Sequence, residues 1–130
     1  MASTENDGET ATISWVFIFE APETNPQVDR MVIERGGMRT TIVGVPEPSV
    51  LPQLAAQLVA EGVQLIELCG AIEPIWVGKI AEATGGTIPL GTVGYAGGET
   101  IARLAEIFAV GGERSGPHLT PGMQGGARIR

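Results

Sequence analysis

The stretch Asn25–Gly37 reads NPQVDRMVIERGG. Asn25 is a favoured helix N-cap, and Pro26 suits the first helical position, where no N–H is needed. Val28, Met31 and Val32 supply a short apolar face, and Gly36-Gly37 ends the segment. The reading is a helix. Its flanks give that reading weight. Upstream, Ile13–Phe19 (ISWVFIF) is almost continuously apolar, as in a strand covered on both faces. Downstream, Arg39–Val45 (RTTIVGV) is a second strand. A helix between them makes the two strands parallel neighbours joined by a crossover.

The pattern then repeats. Ser49 caps a helix in which Leu51, Leu54, Ala55 and Leu58 fall at helical spacing, and Gly62 stops it. Gln64–Gly70 (QLIELCG) is a third strand. Pro74 opens a helix carrying Ile75, Trp76, Ile80 and Ala83, which Gly85-Gly86 closes. Thr87–Tyr95 (TIPLGTVGY) is a fourth strand, which lies at an edge or begins after Pro89, because proline cannot donate to a ladder. A last helix starts near Gly98, with Ile101, Leu104, Ala105 and Phe108 facing inward. The expected fold class is α/β, with four βα units forming a small parallel sheet and helices packed on it. An open doubly wound sheet with helices on both faces is preferred to a half-barrel. Residues 1–12 are expected to be a flexible N-terminus, 13–110 a single α/β domain, and 111–130 a flexible or subunit-strapping tail.

Composition narrows the function classes. The chain has 130 residues, a net charge of −7 and 43% hydrophobic content, so one core is expected and wholesale disorder is not. An acidic chain lacks the concentrated Lys and Arg that phosphate backbones and anionic lipid surfaces require, so neither nucleic acid nor membrane is an expected partner. No apolar run approaches the roughly 20 residues of a membrane span, and MASTENDGETAT has no signal-peptide pattern. A single cysteine permits no internal disulfide, so a cytoplasmic location is expected. A four-stranded sheet has open edges, so a homo-oligomer is expected.

Parallel α/β proteins collect ligands at the carboxyl ends of their strands. Here those ends are Glu20-Ala21-Pro22, Val45-Pro46, Cys69-Gly70-Ala71 and Gly94-Tyr95-Ala96. Strand alternation puts Leu65, Glu67 and Cys69 on one face of the third strand. If Glu67 faces a helix layer it needs a cation, from Arg39 or Lys79, or else burial raises its pKa and makes it a general acid or base. Cys69 lies near a helix start that could activate its thiol, though a lone cysteine in apolar company also serves as a small hydrophobe. The candidate catalytic residues are Glu67, Cys69 and Glu20. The candidate substrate-binding residues are Gly70, Glu73, Trp76, Tyr95, Gly97 and Gly98. Trp76 also suits core packing, and the glycines before Glu99 also suit an ordinary turn. No zinc-ligand spacing exists with one His and one Cys, and no cofactor fingerprint is present. A carboxylate-only magnesium site on Glu20, Glu67 or Glu73 stays open. His118, the single histidine, would reach Cys69 only if the tail folded back.

The segments FIFEAP (Phe17–Pro22), NPQVDR (Asn25–Arg30) and the run from VQLIELCG to GGTIPLGTVGY (Val63–Tyr95) resemble a family of small bacterial proteins of unknown function. VQLIELCG followed by Pro74-Ile75-Trp76 is the most specific part. The chain departs from the family pattern at Asp29, where His is usual, and at Cys69–Pro74, where a glycine-rich turn is usual. The resemblance implies a shared fold and a site around Glu67, Cys69 and Gly70. Two functions are expected from these readings. One is a small-metabolite-binding protein acting as a cofactor-independent isomerase, lyase or cyclase through a carboxylate. The other is a non-catalytic oligomeric module binding a ligand or a protein.

Overall fold

The computed structural model describes residues 13–115. The elements are β1 (Ile13–Glu20), β2 (Arg30–Arg35), β3 (Met38–Val45), a 3₁₀ turn (Pro48–Val50), α1 (Leu51–Ala60), β4 (Leu65–Leu68), α2 (Pro74–Ala83), β5 (Leu90–Thr92) and α3 (Gly98–Ser115). Of the flexible ends expected at 1–12 and 111–130, residues 1–12 and 116–130, with His118, lie outside the described residues, while 111–115 continue α3. The chain forms two compact units, one ending at Gly94 and one beginning at Tyr95, and each is described by itself.

The first unit is an α/β structure on a five-stranded, mostly parallel sheet of order β2-β3-β1-β4-β5. β1 is central. It pairs in parallel with β3, Ile13 beside Met38 through Glu20 beside Val45, and with β4, Trp15 beside Leu65 through Ile18 beside Leu68. β5 adds in parallel to β4. The fourth strand read in the sequence is β5, which lies at the edge and begins directly after Pro89, as the proline suggests, with only Leu90–Thr92 joining the ladder.

The helix read over Asn25–Gly37 is a correction. Its first turn exists: Asn25 Oδ1 accepts the Gln27 N–H at 2.9 Å, and the Asn25 carbonyl accepts from Val28 and Asp29 at 2.9 and 2.7 Å. Asp29 Oδ2 closes the turn by accepting the Asn25 N–H at 2.7 Å. The chain then leaves as β2, antiparallel to β3, with Arg30 opposite Val43 and Arg35 opposite Met38. Two influences defeat the helix. Met31-Val32-Ile33 is a strand-favouring run. Gly36 and Gly37 both have positive φ, 61° and 82°, as a two-residue type I′ hairpin turn demands. The glycines therefore begin a hairpin rather than end a helix.

This change decides which face is covered. β3-α1-β4 and β4-α2-β5 both advance in the same direction across the sheet, so a common right-handedness places both helices on one face. α1 and α2 do pack together there. The link from β1 to β3 runs the other way and carries a strand in place of a helix, so within residues 13–94 no helix lies on the opposite face. Helices on both faces, the doubly wound expectation, are not seen in this unit. The covered face is the core: Val16 and Ile18 from β1, Val43 and Val45 from β3, and Ile66 and Leu68 from β4 meet Leu51, Leu54, Ala55, Leu58 and Ile80. The other face carries Trp15, Phe17 and Phe19 from β1, all half-buried.

Two substitutions separate the hairpin from the packed strand. Gly36→Asn should stabilise the protein by about 0.5 kcal/mol, because Asn tolerates positive φ and restricts the unfolded chain; the space beside Gly36 is open. Gly44→Ala should destabilise it by roughly 1–3 kcal/mol, because the new methyl would lie 2.9 Å from Phe19 Cζ. Urea titration of both variants against the parent checks the opposite signs.

Candidate functional site

β1 exits toward β3, whereas β4 exits through α2 toward β5. Adjacent parallel strands whose connections diverge leave a crevice at their carboxyl ends. Glu20 ends β1. Cys69 follows β4 and is tied to β1 by its N–H, which donates to the Ile18 carbonyl at 2.9 Å. Cys69 and Gly70 are half-buried, and the Ile72 N–H closes a turn on the Cys69 carbonyl at 3.1 Å. Glu73 follows as the N-cap of α2, with Pro74 in the first turn, as the sequence suggests. Its side chain makes no capping bond and is exposed.

Glu20 is the perturbed group. Its pKa is raised above the ordinary Glu value first by partial burial, then by the negative charges of Glu73 and Glu47. Three carboxylates from the ends of β1, β3 and the β4–α2 link therefore share one electrostatic neighbourhood. The fold explains the grouping: each carboxylate sits where its strand or link ends on the same rim. Glu47 escaped the sequence reading, although Val45-Pro46 beside it marks a strand end.

The sheet divides the remaining candidates. Glu20 belongs with Val16 and Ile18 on the helix-covered face, by alternation along β1. Glu67 lies on the other face, beside Phe17 in the register and next to Gly91. A Cβ at Gly91 would stand 3.3 Å from Glu67 Cγ, so the glycine leaves room for that side chain. Glu67 is exposed, and neither expected cation reaches it. Arg39 pairs with Glu34 on β2, and Lys79 Nζ sits 5.6 Å from the Trp76 ring centroid. The expectation of a buried Glu67 held by Arg39 or Lys79 is therefore corrected: the side chain is exposed and both cations have other company. Trp76 packs against the core, as its helical face suggested.

Tyr95, Gly97 and Gly98 belong to the second unit, where all three are exposed. Gly97 has φ 76°, and Thr100 Oγ1 donates to its carbonyl at 3.1 Å, which makes an ordinary turn into α3. Glu99 occupies the first turn of that helix. Among the described residues no group of three or more His, Cys, Asp or Glu side chains is placed to hold a metal ion. A depression of ≈ 230 Å³ lies elsewhere, lined by Pro26, Gln27, Val50, Gln53, Leu54 and Gln57, and contains none of the candidate residues. No described helix is long and apolar enough to cross a membrane.

A family model described as a family of unknown function, DUF6506, matches residues 13–109. The chain belongs to DUF6506. No curated protein and no solved structure matches it. The DUF6506 match spans both compact units, including all the candidate residues named above. It bears out the resemblance to a family of unknown function.

The partial burial of Glu20, with the negative charges of Glu73 and Glu47 nearby, has a measurable consequence. Its raised folded-state pKa means that its ionisation opposes folding as pH rises above the ordinary Glu range. Glu20→Gln should therefore raise stability at neutral pH by a few tenths of a kcal/mol. The gain should vanish as pH falls below the ordinary Glu pKa, where the parent carboxyl is protonated in both states. Melting curves of parent and variant from neutral to acid pH check both the sign and the window.

Proposed function

We propose that this DUF6506 protein is a cytoplasmic, homo-oligomeric small-molecule-binding protein whose ligand sits at the carboxyl ends of β1 and β4. In this reading it is a cofactor-independent isomerase, lyase or cyclase in which Glu20 moves the proton. The observation that carries the proposal is the raised proton affinity of Glu20 at a topological switch point. A carboxyl whose pKa moves toward neutrality can both take and return a proton, as shuttling between two carbon or heteroatom centres requires.

The surroundings constrain the ligand. Glu20, Glu47 and Glu73 oppose phosphate and carboxylate groups and favour N–H or O–H donors. The Cys69-Gly70-Ala71 turn presents backbone beside the same rim, with no bulky side chain at Gly70 to block close approach. Cys69 stands as a half-buried thiol at the strand end and supports the pocket wall in this reading. Glu67, on the opposite face, is outside the reacting centre.

A second reading has its own observation. Glu67 and the aromatic residues Trp15 and Phe17 share a sheet face that carries no helix within residues 13–94. A non-catalytic module that binds a partner through this face accounts for a carboxylate placed among aromatics without a cation.

The two readings part in a thermal-shift screen of amines, polyols, neutral metabolites and organic acids. The first expects amines or polyols to raise the melting temperature of the parent. That rise should be reduced at least tenfold in apparent affinity by Glu20→Gln or Glu73→Gln, and kept in Glu67→Gln. A shift lost in Glu67→Gln and kept in Glu20→Gln refutes the first reading.

A further inference from the structure

The two edges of the sheet are unlike. β5 is a three-residue strand preceded by Pro89, so it offers little to a partner. β2 has six residues, no proline and no bulge, and Met31–Arg35 are all exposed. Met31 is 54%, Val32 40% and Ile33 44% exposed. Apolar side chains and a regular ladder edge coincide there.

The hydrogen-bonding direction of β2 follows from its turn. In a two-residue hairpin the flanking residues, here Arg35 and Met38, bond to each other, so Arg35, Ile33 and Met31 direct their backbone groups toward β3. The Gly44 N–H, which donates to the Asp29 carbonyl at 3.0 Å, shows the same parity one step further. Val32 and Glu34 therefore direct N–H and C=O away from the sheet, as Arg30 does its C=O. The Arg30 N–H is already used by the Val28 carbonyl at 2.9 Å.

An antiparallel second copy of β2 can bond only in registers that set these outward residues against one another. Centring the pair on Val32 puts Val32 opposite itself, Met31 opposite Ile33, and Arg30 opposite Glu34, each of the last two occurring twice by symmetry. Shifting by one residue places Arg30 opposite Arg35 and turns the outward groups away from each other. Shifting by two loses the Arg30–Glu34 match. One register thus satisfies the backbone and the apolar side chains together and sets each Arg30 opposite a Glu34. Glu34 then lies between Arg39 of its own chain, which it already binds, and the strand position of Arg30 of the other copy, whose Nε donates to its own Pro26 carbonyl at 2.8 Å.

The geometry points to a homodimer in which two β2 strands pair antiparallel about a two-fold axis at Val32, joining two five-stranded sheets into one. The partner is a second copy of this chain, since the matched sequence is the strand's own. Four backbone bonds cross the axis: Val32 N–H to Val32 C=O and Glu34 N–H to Arg30 C=O, each in both directions.

Sedimentation equilibrium of the full chain tests this. The parent should weigh twice its 13.5 kDa. Val32→Lys and Val32→Asp each place like charges face to face on the axis, and each should weigh as a monomer while keeping the parent far-UV spectrum and a cooperative melt. An equimolar mixture of the two should recover the doubled mass, because Lys then faces Asp. A parent that stays monomeric at its solubility limit overturns the proposal. So does a folded Val32→Lys variant that stays dimeric, since the contact then lies elsewhere. A mixture that stays monomeric overturns the register.

Discussion

The pleat of β1 is the constraint on which the rest of the first unit depends. It has a partner on each side, β3 and β4, and it sends Val16 and Ile18 to one face and Trp15, Phe17 and Phe19 to the other. A one-residue slip would exchange those sets. The core would then receive aromatic rings in place of β-branched side chains, and α1 and α2 would lose the surface on which Leu51, Leu58 and Ile80 lie fully buried. The same pleat puts Glu20 on the covered side of the rim, where partial burial and two neighbouring carboxylates act on it.

Handedness then distributes chemistry between the faces. The two helical crossovers advance together and cover one side, while the β1–β3 connection carries a hairpin strand and leaves the other side without a helix of its own unit. Glu20 and Glu67 stand on neighbouring strands, yet they face different sides of the sheet. A carboxylate in the third parallel strand looks unusual only if the strand is covered on both sides. Where a face carries no helix of its own unit, an exposed Glu67 needs no cation, and Gly91 leaves space for its side chain.

The legible parts of the sequence were those whose signals agreed at every level. Ile13–Phe19, Arg39–Val45 and Gln64–Gly70 each coincide closely with an observed strand, and Pro74 and the Leu51–Leu58 spacing each mark an observed helix. Asn25-Pro26 misled because its local signal is real: Asn25 does cap a turn, but one turn only. The competing signal was also present, a β-branched run before Gly36-Gly37, and the hairpin prevailed because β3 offered Met31–Ile33 a ladder. For the site, the alternation that groups Glu67 with Leu65 was readable. Which face was covered was not, since that followed from the missing first helix. Glu47 and Glu73 act on Glu20 from different segments, a coincidence of loop ends that no local pattern encodes.

The hairpin also orders events during synthesis. β2 and β3 are joined by two glycines, so their pairing closes a minimal loop and needs nothing made later. The central strand is in the reverse position. Although it precedes every other strand, its partners begin at Met38 and Leu65, so it must wait for both. Until β4 has left the ribosome, the apolar run from Trp15 to Phe19 lacks one ladder neighbour and the cover of α2, and that nascent interval leaves the chain exposed to self-association and chaperone capture.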